Sequence, residues 1–303
     1  MRTSAQEIHA IKPTDTTSCN FSCFLTPSKL HNKGRDNLVV GTSVGLGGGI
    51  LGGLSYLWYS GYERTPFHLF NDGLEWRGMD KVGHAVTAFH VAEYIGNWYE
   101  WAGVSRKKAA WRGALTSFAF QGAIEVLDGF SEEWGFSVAD IMSNSTGIGL
   151  FVLQEHLWEN QPITLKFGFI PSEFRKYRSS LLGENELTGI LKDYNGQSYW
   201  LSMNIAAITG ASKVPSWLNL AVGYGAGGML GGRSNPAVDN NGVALPNFER
   251  YSQFYLSPDL DFTKIKTKNI YLKTLFKALS FYKFPFPAIE VNTLGKIRLN
   301  WVQ

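Results

Sequence analysis

Cysteine is almost missing from this sequence: Cys19 and Cys23 are the only two in 303 residues, set in a polar stretch near the start. They are free to pair with each other or to stay as thiols. Neither arrangement organises a chain of this length, so a disulfide-stapled fold is excluded and no redox compartment follows. Charge is scarce too, at 17% of residues, and neither sign dominates: 28 basic against 25 acidic side chains leave a formal +3. That balance excludes a nucleic-acid binder working by counterion release. The first 36 residues hold no continuous apolar stretch. No signal peptide or lipoprotein signal is readable there, and residues 1–36 are expected to form a polar, disordered tail. Also missing are GxSxG, CxxC, HExxH and a P-loop; the GLGGG from Gly45 lies inside an apolar run, not between a strand and a helix.

What is present is apolar and rich in glycine. A chain 44% hydrophobic and 14% aromatic can bury a core, and its 33 glycines lie in runs without the collagen period. From Leu38 to Tyr59 the run LVVGTSVGLGGGILGGLSYLWY carries no charge, and it has about the 20 residues of a bilayer-spanning helix. Within it Gly41, Gly45, Gly49 and Gly53 recur every fourth residue, as do Gly48 and Gly52, the pattern that lets membrane helices approach closely. Three less apolar helices are expected over 81–102, 107–127 and 137–158. Short connections between them predict an up-down bundle spanning residues 37–160.

From Gln161 the period changes from helical to alternating. Leu165, Phe167 and Phe169 alternate, as do Leu201, Met203 and Ile205; Leu218, Leu220, Val222 and Tyr224; Phe254, Leu256, Leu260 and Phe262; and Ile297, Leu299 and Trp301. One helix, over 269–282, interrupts them. The fold class that follows is an α+β membrane protein, a helical bundle followed by an antiparallel β-rich region over 161–303. A partial outer-membrane barrel is the rival for that second half, since the strands fall short of the smallest membrane barrels. Tyr199, Trp200, Trp217, Tyr251, Tyr255 and Trp301 suit an interfacial belt or a core equally.

Polar residues inside the helices are the most informative feature. Asp80 and His84 are four apart; Ser117, Gln121, Glu125 and Asp128 form one stripe, and Ser137, Asp140, Asn144 and Gly147 another. Alternating helix directions bring all three groups to one end of the bundle, and ionisable groups on membrane helices mark sites for ligands, ions or protons. Ser137 and Asp140 also fit a capping box, with Asp in place of Glu. Lys81 either pairs with Glu125 or Asp128 or, the favoured reading, snorkels to headgroups. A metal held by His84, Glu125 and Asp128 is chemically conceivable, but their spacing matches neither HExxH nor the di-iron bundles, so no metal and no cofactor is expected. His90 and His156 lie off these faces and read as ordinary packing residues. Arg106, Lys107 and Lys108 sit in the loop at the other end; in an inner membrane they would face the cytoplasm and place the cluster in the periplasm.

These residues carry a resemblance. Asp80-Lys81-Val-Gly-His84, then Glu125 with Asp128, then Ser137-Val-Ala-Asp140 followed by Asn144 and Gly147, resembles the helical signature of VanZ-like membrane proteins. That signature usually has a Gln and an Arg before the Ser-x-x-Asp helix; here Asp128 stands in the Gln region and no matching Arg occurs. The longer stretch from Trp76 to Asp193, with MDKVGHA, IEVLDGFSEEWGFSVAD and LKDYNGQSYWLS, is similar to a family of Gram-negative envelope proteins described as predicted periplasmic lipoproteins, the YfiM type. The resemblance implies a bacterial cell-envelope membrane location, inner or outer, and no established reaction. The expected partners are membrane lipid and an envelope glycan or lipid-linked precursor. Three functions stay open: a cluster that binds a headgroup or precursor, a membrane hydrolase or transferase with Glu125 or His84 as general base, and a scaffold of an envelope complex.

Overall fold

The computed structural model describes residues 21–59, 61–158, 161–239 and 241–303. A short helix α1 (Phe21–Leu25) precedes α2 (Lys33–Tyr59), α3 (Met79–Trp101), α4 (Arg106–Asp128) and α5 (Val138–Leu157). Strand β1 (Ile163–Phe169), short helices α6 (Ser179–Leu182) and α7 (Glu186–Lys192), β2 (Gln197–Asn204), α8 (Ile205–Thr209), β3 (Leu218–Gly227), β4 (Tyr251–Leu260), α9 (Ile270–Ala278), β5 (Ala288–Asn292) and β6 (Ile297–Asn300) follow. The fold is therefore mixed, a set of helices plus one six-stranded antiparallel sheet in the order β1 to β6. The expected tail differs where it is described: Phe21–Leu25 is helical and α2 begins at Lys33. The rest of that tail, with Cys19, lies outside the described residues.

Helix α3 is the central element, packed on α4, α5 and the first two strands. Ala88, Phe89 and Ala92 meet Ala110 and Ala114 of α4 and Ile148, Phe151 and Val152 of α5. Small residues set the spacing. A Cβ on Gly113 would stand 2.2 Å from the Ala92 carbonyl oxygen, and one on Gly147 would stand 2.0 Å from that of Ala85. Close helix approach is thus placed at α3–α4 and α3–α5. The glycine stripe of α2 does not serve this purpose within the described residues, because a Cβ on Gly41, Gly45, Gly48, Gly49, Gly52 or Gly53 would meet none of their atoms within 4 Å.

Helix α2 runs alongside α4, tied by Arg112 to Asp36 at 3.0 Å, by Gly47 against Phe120, and by Tyr59 to Asp128. Val39 is its buried residue; Val44, Leu46 and Ile50 are exposed. Among the described residues α2 is the one helix long and apolar enough to cross a membrane. The four membrane helices expected from sequence reduce, on that criterion, to one, because α3–α5 interleave their apolar residues with the polar stripes.

The sheet has its polarity reversed. Its register puts Val222, Leu256, Ile289 and Leu299 in one row and Phe254, Val291 and Ile297 in the next, and all of these are exposed. The alternate positions are polar and buried: Asn219, Ser257, Asp259, Glu290 and Asn292. Over β1 and β2 the same apolar face is covered by α3, with Met79 and Val86 against Tyr199, Leu165 and Phe167. On the polar face Lys166 pairs with Asp259 at 2.6 Å, Ser202 donates to Asp259 at 2.6 Å, and Trp200 stacks on Tyr255. Of the aromatics read as belt or core, Tyr199, Trp200 and Tyr255 are buried, whereas Trp217 and Trp301 are exposed.

Candidate functional site

The polar stripes of α3, α4 and α5 converge at one end of the bundle. Asp80, Lys81 and His84 come from the first turns of α3, Gln121, Glu125 and Asp128 from the last turns of α4, and Ser137, Asp140 and Asn144 from the start of α5. Lys81 is the hub: its Nζ lies 2.7 Å from Asp72, 2.7 Å from Asp80 and 2.8 Å from Asp140. The snorkelling expected for Lys81 does not occur, nor does pairing with Glu125 or Asp128, because three nearer carboxylates surround the ammonium and leave its side chain 12% exposed.

His84 stands between the helices. Its Nδ1 is 3.2 Å from Asn144 Oδ1, which also accepts from Gln121 Nε2 at 3.2 Å. Its Nε2 faces Asp80 Oδ1 at 3.8 Å and Asp140 Oδ1 at 3.6 Å, and its Nδ1 is 3.7 Å from Glu125 Oε1. Those separations are too long for hydrogen bonds. Asp140 Oδ1 and Glu125 Oε1, both buried, accept no hydrogen bond. The other oxygens are used: Glu125 Oε2 accepts from the Ser137 backbone N–H at 3.3 Å, and Tyr194 donates its hydroxyl to Asp80 Oδ1 at 2.6 Å.

The capping reading is half met. Ser137 Oγ accepts from the Asp140 backbone N–H at 3.1 Å, as an N-cap should, and donates to Asp72 at 2.6 Å. Asp140 does not return the bond to Ser137; Glu125 of α4 supplies it, so the Asp140 carboxylate is left for Lys81 and His84. Asp128 stands beside these groups and accepts from Tyr59 at 2.5 Å. Asp72, Tyr59 and Tyr194 complete the site, and none carries a spacing signal that ties it to Asp80 in the sequence, whereas Gln121 belongs to the α4 stripe.

Burial and charge set the electrostatics. Burial pushes Glu125 up to about 8, with His84 opposing and Asp140 adding. Burial likewise raises Asp128 and Asp140 to about 6. Burial acts on Asp80 in the same direction, but the charges of His84 and Lys81 outweigh it and hold that carboxyl below its usual range. For His84 burial opposes the charged form, and Asp80, Asp140 and Glu125 together overcome it and raise the imidazole. Five carboxyl groups, counting Asp72, thus face one ammonium and one imidazole.

The sheet half holds the site in place. Trp76 and Arg77 precede α3 with φ of 49° and 54°, in the left-handed region, and Gly78 follows at 75°. Such non-glycine conformations cost about 1–3 kcal/mol each and persist where surrounding structure fixes them. Here Trp76 N–H donates to the Gly232 carbonyl at 2.7 Å, Arg77 Nε to Ser252 Oγ at 2.9 Å, and Tyr224 hydroxyl to the Arg77 carbonyl at 2.6 Å. His90 is buried, with Nε2 bonded to the Leu165 carbonyl, and His156 is exposed, with Nδ1 bonded to the Val152 carbonyl; neither joins the cluster. A cavity of about 290 Å³ lies toward the other end of α3, lined by Glu93, Glu100, Lys166 and Lys277, and includes no residue of the cluster.

Residues 69–156 match the family described as predicted periplasmic lipoprotein (DUF2279). The matched segment takes in α3, α4, α5 and Asp72, hence most of the cluster, but neither Tyr59 nor Tyr194. It supports the periplasmic lipoprotein likeness of the sequence and carries neither the YfiM-type nor the VanZ-like refinement. No curated protein and no solved structure matches the chain.

Proposed function

We propose that the chain is a cell-envelope protein attached to a membrane through α2, with the cluster around Lys81 and His84 as a site for a cationic group at the level of the lipid headgroups. The exposure of α2 carries the first part: an uncharged apolar run with Val39 as its buried residue is poorly suited to water. The exposed apolar rows of β3–β6 add a second surface of the same kind, and the family description of the matched segment is of an envelope protein. Tyr59, the last residue of α2, bonds Asp128, so an α2 that enters a bilayer sets the cluster near its boundary. The excess of carboxylates favours a cationic headgroup over the phosphate of a lipid-linked precursor.

A hydrolase or transferase reading is weaker on this geometry. Glu125 is 1% exposed and Ser137 Oγ is committed to Asp72 and to the α5 cap. The test is fractionation of the full chain alongside Leu46→Lys and Ile50→Lys, two exposed positions on α2. Wild type is expected in the membrane fraction, resistant to alkaline washing, and the lysine variants in reduced amount there. Wild type found in the soluble fraction overturns the attachment.

A further inference from the structure

We propose that Asp80 Oδ1, His84 Nε2 and Asp140 Oδ1 bind a divalent transition-metal ion, with Glu125 and Asn144 supporting the imidazole. This rests on the cation-accepting reading of the same cluster and specifies the cation. Asp80, His84 and Asp140 each bring one donor atom to within 4.8 Å of the others, with His84 Nε2 3.8 Å from Asp80 Oδ1 and 3.6 Å from Asp140 Oδ1. Asp140 is 3% exposed, and its Oδ1 accepts no hydrogen bond although it points at His84 Nε2 across 3.6 Å. A buried acceptor left unserved is costly, and a metal between the two atoms serves both.

The rest of the geometry fits a metal better than it fits a bare acidic cluster. Lys81 is bonded to the Oδ2 atoms of Asp80 and Asp140, which leaves both Oδ1 atoms directed toward His84. Asn144 Oδ1 beside Nδ1 fixes the tautomer that presents a lone pair at Nε2, the usual support for a ligating histidine. Tyr194 holds the Asp80 carboxylate through the same Oδ1 that would ligate. With metal–ligand bonds of about 2.0–2.2 Å, neighbouring donors stand roughly 2.8–3.6 Å apart between octahedral and tetrahedral angles, so the observed 3.6 and 3.8 Å lie at or just beyond the tetrahedral end of that range. Two carboxylates and one imidazole suit Mn, Fe, Co or Zn, with the remaining positions left for water or ligand. The spacing Asp80-x-x-x-His84 puts two donors on one helix face, and the third arrives from α5, which is why no linear metal motif appears.

The experiment uses the full chain in detergent, stripped with chelator, and titrated with Co²⁺ and Mn²⁺ and separately with ethanolamine. One Co²⁺ per chain is expected, with visible absorption bands, and Mn²⁺ is expected to raise the melting temperature. His84→Gln should abolish the nitrogen coupling seen by pulsed paramagnetic resonance and weaken binding at least tenfold. Asn144→Ala should weaken it by roughly 10–100-fold. Glu173→Gln, the removal of an exposed carboxylate outside the cluster, should leave affinity within about threefold of wild type. Absence of stoichiometric metal binding to wild type overturns the inference, whatever the variants do, and so does binding indifferent to His84→Gln. If ethanolamine stabilises the protein and metals do not, the metal assignment falls while the cationic-headgroup reading stands; if neither acts, both fall.

Discussion

Two buried ionic networks in this chain differ in sign and in openness. The sheet network has two lysines, Lys166 and Lys283, around one carboxylate, Asp259, all nearly inaccessible. The bundle cluster has five carboxyl groups around one lysine and one histidine, with His84 and Asp80 partly exposed. The sheet network balances itself: burial brings Lys283 down to about 8, with Asp259 opposing, so one of its two lysines can shed its proton. Lys283 Nζ donates to Ser257 Oγ and to the Pro258 and Phe284 carbonyls and lies over the Trp200 ring. The acidic cluster is relieved only in part by the same means: Glu125, pushed up to about 8, can keep its proton, but four further carboxyl groups still face one ammonium and one imidazole, and the cluster is reachable from outside. An excess that can be relieved within the fold reads as architecture, and one that invites a counter-ion reads as a site.

The largest expected effect breaks the sheet network. Asp259→Ala leaves Lys166 buried without its carboxylate and should destabilise the fold by about 3–5 kcal/mol, whereas Asp128→Asn should cost less than about 1 kcal/mol; urea unfolding of the two variants in detergent compares them. Next, Gly147→Ala drives a methyl against the Ala85 carbonyl where α5 crosses α3, and a loss of about 1–3 kcal/mol is expected, read as a lowered melting temperature. Tyr194→Phe removes one hydrogen bond to a charged carboxylate, at about 1.5–3 kcal/mol. Its effect should be largest on cation affinity if Tyr194 positions Asp80, and calorimetric titration alongside the melting curve separates the two.

A further effect sharpens the comparison through pH. Because the folded state lowers Lys283 to about 8 while an unfolded lysine titrates near 10.4, the unfolded chain holds more protons between those values. Stability contributed by this group therefore rises as pH rises through that window. Urea midpoints at pH 7.5 and 9.5 should show that rise in wild type and lose it in Lys283→Met. An unchanged slope in the variant would assign the pH dependence elsewhere.

Much of the bundle was legible because its elements are long and their polar stripes repeat at helical spacing. The expected ranges 81–102, 107–127 and 137–158 lie within two residues of α3, α4 and α5, and Asp80, His84, Glu125, Asp128, Asp140 and Asn144 do meet at one end. What was not legible is what depends on distance along the chain. Asp72 lies in a loop, Tyr59 closes an apolar run and Tyr194 belongs to the other half, so no local period links them to Lys81. Strand β5, only AIEVN, is too short for alternation to register, and the helix expected over 269–282 ends at Ala278 because Leu279 to Lys283 turn back to pair with Phe167. Alternation also says nothing about which face is inside, so the reversal of the sheet could not be seen beforehand.

The left-handed pair Trp76–Arg77 sets an order of events. Its backbone is fastened by Tyr224 and Gly232 and its Arg77 side chain by Ser252, all more than a hundred residues downstream, so the start of α3 takes its final shape only after β3 and β4 have paired. A chain emerging from its amino end can therefore assemble α3, α4 and α5 and still lack a finished cluster. Cation affinity should appear late, as a property of the completed molecule, and the segment 69–156 made alone should be helical and yet bind poorly.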